Sequence, residues 1–132
     1  MAIPTYDQFL LPLLELVRDG KDYTFTDAVE ALAQKFELTD ADITELLPSG
    51  GQTVLKNRIG WAKTYLTKAL LLTSPRRGVM TITPRGQEVL ATQPAALDKQ
   101  YLLRFPEFQQ FQARGQDSST YVEEVAEQQS MQ

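Results

Sequence analysis

The sequence predicts a mainly α-helical fold that contains one small β-hairpin. Through most of the chain, apolar residues recur at steps of three and four, the spacing of a helix that buries one face. Two short β-prone runs, residues 71–73 and 79–83, flank a loop that contains Pro and Gly, which is typical of a hairpin. With 132 residues and an apolar share of 42%, the chain is long enough for one domain with a core.

The first element is predicted to be a helix over residues 6–19. Thr5 is expected to cap its N-terminus, and Gly20 is expected to end it in the left-handed conformation. The short aromatic run 22–25 then predicts a brief strand or an extended connector. The apolar residues that share the buried face of the helix are Phe9, Leu10, Leu13, Leu14 and Val17.

Two shorter helices are predicted next. The second helix covers residues 27–36, with Thr26 as its N-cap. The third begins at Thr39 or Asp40 and ends before residues 48–51, where Pro, Ser and two Gly break the helical pattern. Its predicted apolar face is Ile43, Leu46 and Leu47.

The fourth helix, residues 53–70, is the longest and the most basic. Its apolar residues fall at steps of four, three, four and three, which predicts a single buried stripe. Three lysines lie elsewhere on the same helix. The stripe residues are Leu55, Ile59, Ala62, Leu66 and Ala69, and the lysines are Lys56, Lys63 and Lys68.

Helices are also predicted after the hairpin. Thr83 and Pro84 are a favourable N-cap and first helical residue for a helix that ends near residue 92. A further helix over residues 96–105 is interrupted by Pro106 and continues to residue 114. The predicted units are a winged-helix domain over residues 1–93, a helical extension over 94–115 and a mobile tail or linker over 116–132, where Gln, Ser, Glu and Asp prevail.

Charge is strongly segregated along the chain. The 42 residues between Glu45 and Glu88 contain no Asp or Glu but carry seven basic residues, whereas the remainder carries six basic and 17 acidic residues. A positive surface on an acidic body is the pattern that a phosphate backbone selects, and a solvated basic face without a partner is the alternative. The seven basic residues are Lys56, Arg58, Lys63, Lys68, Arg76, Arg77 and Arg85.

Composition excludes several kinds of site. Without Cys or His, the chain lacks disulfides, zinc–thiolate sites, the commonest metal ligand and the commonest general base. No segment approaches the roughly 20 apolar residues of a membrane span. Residues 1–5 lack the charged and apolar regions of a signal peptide, so the chain is expected to be cytoplasmic.

The order of elements is that of a winged helix-turn-helix with one extra helix in its middle and a helical extension after it. In this fold one helix lies in the major groove, and the hairpin loop, or wing, contacts the DNA backbone nearby. We therefore predict a partner of double-stranded DNA, with no cofactor, no metal and no small-molecule substrate. The predicted contact residues are Lys56, Asn57, Arg58, Lys63, Thr64, Thr67, Lys68, Arg76, Arg77 and Arg85.

Several of these residues have a second interpretation. Arg58 suits guanine, but it lies near the apolar stripe and is equally compatible with pairing inside the fold. Trp61 and Tyr65 favour the core over a platform for stacked bases. Gly60 costs about 1 kcal/mol relative to Ala in a helix interior, which indicates close approach of another helix or, alternatively, of DNA backbone.

The basic helix and the hairpin also resemble the N-terminal domain of Mrr-type restriction endonucleases. The resemblance is carried by the stretches 56–69, 74–78 and 82–86, and by the similar segments 3–6 and 104–108, so it covers residues 1 to about 115. Its most specific string is Asn57-Arg58-Ile59-Gly60-Trp61-Ala62. Leu70 departs from the pattern, because glycine is expected there.

The resemblance implies a winged helix that delivers a nuclease to DNA, often DNA that is methylated or otherwise modified. The family's nuclease is a separate C-terminal domain with an Asp…(Asp/Glu)-x-Lys metal site. The one matching triplet here, residues 19–21, reads as a helix end, and Asp40 and Asp42 read as ordinary first-turn acids. We therefore predict that this chain is not itself an enzyme, but an excised domain of a nuclease or a stand-alone relative.

A second hypothesis is a protein-interaction module or a stand-alone transcriptional regulator. Winged helices also pair with proteins, and an aromatic face could form the seam of a homodimer. The C-terminal helix, residues 96–114, would be the exchanged element, because it extends beyond the winged-helix core. The residues of the predicted seam are Trp61, Tyr65, Phe108 and Phe111.

Overall fold

The computed structural model describes residues 3–115, which form seven helices and three short strands. The fold is mainly α-helical with a small sheet, as the sequence predicts. In chain order the elements are α1 (Tyr6–Leu16), β1 (Tyr23–Thr24), α2 (Phe25–Lys35), α3 (Asp40–Thr44), α4 (Val54–Lys68), β2 (Leu72–Thr73), β3 (Val79–Ile82), α5 (Pro84–Ala91), α6 (Lys99–Leu102) and α7 (Pro106–Gly115).

The sheet has three antiparallel strands in the order β1-β3-β2. The predicted hairpin is confirmed, with Leu72 opposite Ile82. The segment predicted as a strand or a connector is a strand, because Tyr23 pairs with Met80 on the other edge of β3. Residues 74–78 form the loop of the hairpin, which we call the wing. The observed order of elements is therefore that of a winged helix.

Threonine hydroxyls cap four of the helices and fix where they begin. Thr53 and the predicted cap Thr83 accept N–H bonds from Lys56 and Gly86 at 3.2 and 3.0 Å. The prediction of Thr26 as the cap of α2 is wrong. Thr24, two residues earlier, accepts the N–H of Asp27 at 3.0 Å, so that α2 starts directly from strand β1.

A single hydrophobic core lies around α4. The predicted stripe of α4 is confirmed, since each of its five residues is fully buried. α4 packs against α1, whose predicted apolar face is also buried, and against the sheet, α6 and α7. The last two helices and the connector before them add Leu97, Leu102 and Phe108 to the same core. These helices therefore also pack against α4.

Two predicted helices are longer than the observed ones. α1 stops at Leu16 rather than residue 19, because the backbone tightens into three-residue turns, with the N–H of Gly20 bonded to the carbonyl of Val17 at 3.1 Å. Of the helix predicted over residues 96–105, the structure forms only the four residues of α6, Lys99–Leu102. The Asp98 carboxylate caps α6 at the N–H of Tyr101, and Pro106 begins a separate helix.

The third predicted helix is also too long. α3 ends at Thr44, because Glu45 turns into the extended region with ψ of 128°. Leu46 then pairs with Thr53 in an antiparallel bridge and is 57% exposed, so its predicted place on a buried helix face is wrong. Residues 46–53 instead form a tight loop that leads into α4.

Leu70 ends α4 in the left-handed conformation that usually selects glycine. Its φ is +64°, and the N–H of Leu71 bonds to the carbonyl of Leu66 at 2.9 Å, as in a Schellman motif. The expectation of glycine at this position therefore has a structural basis. Leucine satisfies the hydrogen bonds but bears the steric strain of a Cβ at positive φ.

No helix within residues 3–115 is long and apolar enough to cross a membrane. The predicted tail or linker, residues 116–132, lies outside the residues that the structure describes. The division of the chain at residue 93 stays a prediction.

Candidate nucleic-acid interface

One face of α4 is directed away from the core and carries lysine. Lys56, Gly60, Lys63 and Thr67 follow one another at steps of four, three and four, so they form a second stripe beside the buried one. Lys56 is exposed, and the other three are half-buried. The first turn of α4 contains no acidic residue. The exposed stripe therefore combines cations with a positive helix N-terminus.

The wing presents two arginines on a defined loop. Arg76 is 69% exposed and lies 3.6 Å from the carboxylate of Asp22, a distance and exposure typical of a weak surface pair. Arg77 is exposed, and within residues 3–115 it makes no ion pair. The Ser74 hydroxyl lies 2.7 Å from the carbonyl oxygens of both Arg76 and Val79, which fixes the shape of the loop.

Phe25 connects the wing to the exposed stripe. Its backbone N–H donates to the carbonyl of Gly78 in the wing at 3.0 Å. The tip of its ring, Cζ, lies 3.9 Å from the position that a Cβ on Gly60 would occupy. The backbone of the wing and the middle of α4 therefore share Phe25 as a neighbour, which brings the two cationic segments near each other.

Leu46 adds a large exposed apolar side chain next to the N-terminal end of α4. The N–H of Leu47 bonds to the carbonyl of Gln52, and the N–H of Val54 bonds to that of Glu45, both at 2.9 Å. These bonds flank the bridge, so Leu46 and Thr53 form a non-hydrogen-bonded pair, in which side chains approach closely on one face. Thr53 caps α4, so Leu46 lies beside its first turn.

Two predicted contact residues are engaged inside the protein. The Arg58 guanidinium donates to the carbonyls of Ile3 and Pro4 at 2.8 and 3.3 Å, tying the start of the described chain to α4. The Arg85 guanidinium donates to the carbonyl of Ala69 at 3.0 Å and to the Glu107 carboxylate at 2.8 Å. We therefore leave both arginines out of the candidate interface.

The other predicted polar residues of α4 differ in how accessible they are. Thr64 is only 7% exposed. The Thr67 hydroxyl donates to the Lys63 carbonyl one turn back at 2.7 Å. Asn57 is half-buried, and its amide donates to the Gln52 side chain at 3.4 Å. Lys56, Asn57, Lys63 and Thr67 therefore remain on or next to the exposed stripe, whereas Thr64 does not.

Lys68 lies on the flank of α4 that faces α7. Its ammonium group stands 5.6 Å from the centroid of the Phe111 ring, within the range of a cation–π contact. Lys68 itself is exposed. Its charge therefore adds to the cationic surface from the side.

Lys63 is the most desolvated cation of the stripe. Burial lowers the pKa of its ammonium group from the usual value of 10.5. An anion placed beside this group would offset the desolvation and raise the pKa again.

The aromatic residues of the predicted dimer seam lie largely inside the chain. Tyr65 is 8% exposed and Phe108 is fully buried, and their ring centroids are 5.2 Å apart. The Tyr65 ring also contacts Tyr6 and Phe111 edge-on. The expectation that Tyr65 belongs to the core is confirmed, and this cluster joins α1, α4 and α7 within one chain.

The acidic residues considered for a metal site have structural roles. Asp19 accepts bonds from the N–H of Lys21 at 3.0 Å and from the Tyr23 hydroxyl at 2.8 Å, and the first of these lowers its pKa. Asp42 accepts the N–H of Thr39 at 3.1 Å in a capping box, which lowers its pKa. No cluster of three or more carboxylates is found in residues 3–115.

Two of the residues that shape this surface were not predicted to do so. Phe25 was expected in a strand or connector, and Leu46 was expected on a buried helix face. A signal for Leu46 was present, because the Pro-Ser-Gly-Gly run between Leu46 and Thr53 is as compatible with a tight turn as with a helix end.

Comparison with known proteins identifies one family. The Mrr N-terminal domain family matches residues 6–92. The chain is also 37% identical over 101 residues to a type IV methyl-directed restriction enzyme, EcoKMrr, of Escherichia coli (strain K12). The aligned region covers 76% of this chain but 33% of that protein, so the chain spans about a third of the length of its relative. No solved structure matches the chain.

Proposed function

The chain belongs to the Mrr N-terminal domain family, and from that premise we propose that it is the DNA-targeting domain of a restriction system. The observation that carries the proposal is the contact through Phe25, which sets the wing beside the exposed stripe of α4. Five cations border this surface, and their own stretch of sequence contains no acid to oppose them. The five are Lys56, Lys63, Lys68, Arg76 and Arg77.

In the proposed complex, α4 lies in the major groove of double-stranded DNA and the wing lies on the backbone. The groove is wide enough for one helix, which enters with its N-terminal turns towards the base edges. Lys56 and Asn57 are then closest to the bases, and Asn57 can pair with adenine after giving up its weak bond to Gln52. Arg76 and Arg77 contact phosphates and position the domain without reading sequence.

We further propose that methylated DNA is the preferred ligand. The relative from Escherichia coli is named as methyl-directed. A methyl group in the major groove is read by an apolar contact. Leu46 offers such a contact beside the first turn of α4, where base edges are read.

The relative is a restriction enzyme about three times as long as the matched region. We propose that cleavage in such a system is performed by a nuclease that this domain brings to DNA. Asp19 and Asp42, the acids closest to a nuclease-like pattern here, are committed to bonds within the fold.

Fluorescence anisotropy with labelled duplexes tests the proposal. The full chain is titrated with unmodified duplexes and with duplexes methylated at adenine or cytosine, at about 100 mM salt, where phosphate contacts still contribute strongly. We expect binding to both, with tighter binding to a methylated duplex. Absence of duplex binding at this salt concentration would refute the targeting role. Sedimentation of the protein alone, run in parallel, tests the homodimer hypothesis.

A pair of variants tests the role of Leu46. Leu46→Ala should reduce the preference for methylated DNA while leaving binding to unmodified DNA close to that of the wild type. Leu70→Ala is the matched control, because Leu70 is the other large exposed apolar residue of residues 3–115 and lies at the far end of α4. If both variants keep the wild-type preference, Leu46 does not contact the methyl group.

A further inference from the structure

Gly60 occupies a position where the helix itself gives no reason for glycine. It lies in the middle of α4, a helix of 15 residues. Glycine is one of the least favourable residues in a helix interior, because it loses the most conformational freedom on folding. Its backbone is helical and has no positive φ. A glycine here therefore needs a close neighbour that excludes a side chain.

The protein supplies no such neighbour within residues 3–115. A Cβ built on Gly60 would meet only the Phe25 ring tip, at 3.9 Å, which is ordinary van der Waals contact. Phe25 belongs to α2, so a second helix does lie beside Gly60, but at this distance it leaves room for a Cβ and does not by itself require glycine. Gly86 shows the opposite case, since a Cβ there would lie 2.4 Å from the carbonyl oxygen of Leu71 and 2.7 Å from Ile82.

The neighbours of Gly60 on the surface indicate what approaches it. Lys56 and Lys63 lie one turn before and one turn after it on the exposed stripe, and Phe25 connects it to the wing. Cations on both sides favour an anionic partner, and a position without a side chain lets the partner's backbone come close. The sugar–phosphate backbone of DNA has both properties.

We propose that Gly60 is the point of closest approach between α4 and the DNA backbone, at the edge of the major groove. The inference rests on the proposed function and adds a steric requirement to it. A side chain at position 60 would hold α4 away from the groove, which would weaken the contacts made by Lys56 and Lys63 together. Glycine at this position thus lowers the stability of the free domain and improves its fit to the duplex.

Gly60→Ala tests the inference, because it should change stability and binding in opposite directions. Alanine fits the space and favours the helix, so the melting temperature should rise by about 2 to 6 °C. Affinity for duplex DNA should fall by about tenfold, as expected when a tightly packed contact is forced apart. Gly86→Ala is the matched control, and it should lower the melting temperature because its Cβ has no space.

The salt dependence separates a steric effect from a lost charge. Gly60→Ala should lower affinity by a similar factor at every salt concentration, whereas Lys56→Ala should also reduce the slope of log K against log[salt] by about 0.9. Gly60→Ser, which adds one more atom, should bind at least as weakly as Gly60→Ala.

Three results would overturn the inference. If Gly60→Ala binds DNA as tightly as the wild type, the backbone does not approach position 60, although the targeting role stands. If Gly60→Ala is less stable than the wild type, the glycine serves the fold and not a partner. If the wild type itself does not bind duplex DNA, the proposed function fails and the inference fails with it.

Discussion

The slope of log K against log[salt] for DNA binding should reflect how many cations the structure leaves available on the surface. Of the seven basic residues in the acid-free stretch, Arg58 and Arg85 are engaged within the protein. Five cations remain for phosphates. Each neutralised phosphate contributes about −0.9 to the slope of log K against log[salt], so five contacts predict a slope of about −4.5.

Variants of the wing arginines and variants of the internally bonded arginines should affect this slope differently. The double variant Arg76→Ala with Arg77→Ala should flatten the slope to about −2.7 and weaken binding to all sequences alike, because these residues are proposed to contact phosphates. Arg58→Ala and Arg85→Ala should keep the wild-type slope. They should instead lower the free energy of unfolding, since each breaks bonds within the fold.

The assay is a series of anisotropy titrations between about 50 and 200 mM salt, together with thermal unfolding of each variant. The reasoning fails if affinity is insensitive to salt, or if Arg58→Ala and Arg85→Ala flatten the slope as strongly as the wing variant while folding remains intact. A wing variant that changes sequence preference would show that the wing reads bases rather than phosphates.

Three further predictions concern stability. Leu70→Gly should raise the free energy of unfolding by about 1 kcal/mol in chemical denaturation, because glycine relieves the strain at a φ of +64°. Thr53→Ala should lower it by about 1 kcal/mol through loss of the α4 cap, measured in the same way, whereas Thr53→Ser should restore it. The hydrogen bond from Arg85 holds the pKa of Glu107 below its usual 4.5, so this pair contributes stability above about pH 4.5 that is lost as the pH falls. Glu107→Gln should therefore flatten the acid limb of a plot of melting temperature against pH, and an unchanged limb would show that the pair does not couple α5 to α7.

The sequence predicted most elements because their signals are local. A periodic apolar stripe and a threonine cap together define α4, and both depend on residues within a few positions of each other. Thr24 and Thr26 show the limit of such signals. Both residues suit an N-cap. The position of the α2 N-cap is set by the pairing of Thr24 with Val79, which lies more than 50 residues further along the chain.

The errors at the interface come from partners that are distant in sequence. Arg58 was already compatible with pairing inside the fold, because it lies near the apolar stripe, whereas nothing local distinguishes Arg85 until the carbonyl of Ala69 is placed beside it. Leu46 was assigned to a helix because its spacing from Ile43 suits one, and only the bridge to Thr53 shows the chain reversing there. Residue type and spacing therefore indicated the cations, but not the partners that Arg58 and Arg85 have inside the fold.

The internal use of two arginines does not explain why the stretch between Glu45 and Glu88 contains no acid. The acceptors of Arg58 are carbonyls, and the carboxylate that pairs with Arg85 is Glu107, which comes from outside the stretch. Neither arginine would be disturbed by an acidic residue on the opposite face of α4. An acid near Lys56 or Lys63 would instead offset the positive potential of the exposed stripe directly. The internal bonds of these two arginines therefore do not require the absence of acids, and the phosphate-bearing ligand that we propose accounts for it better than internal packing does.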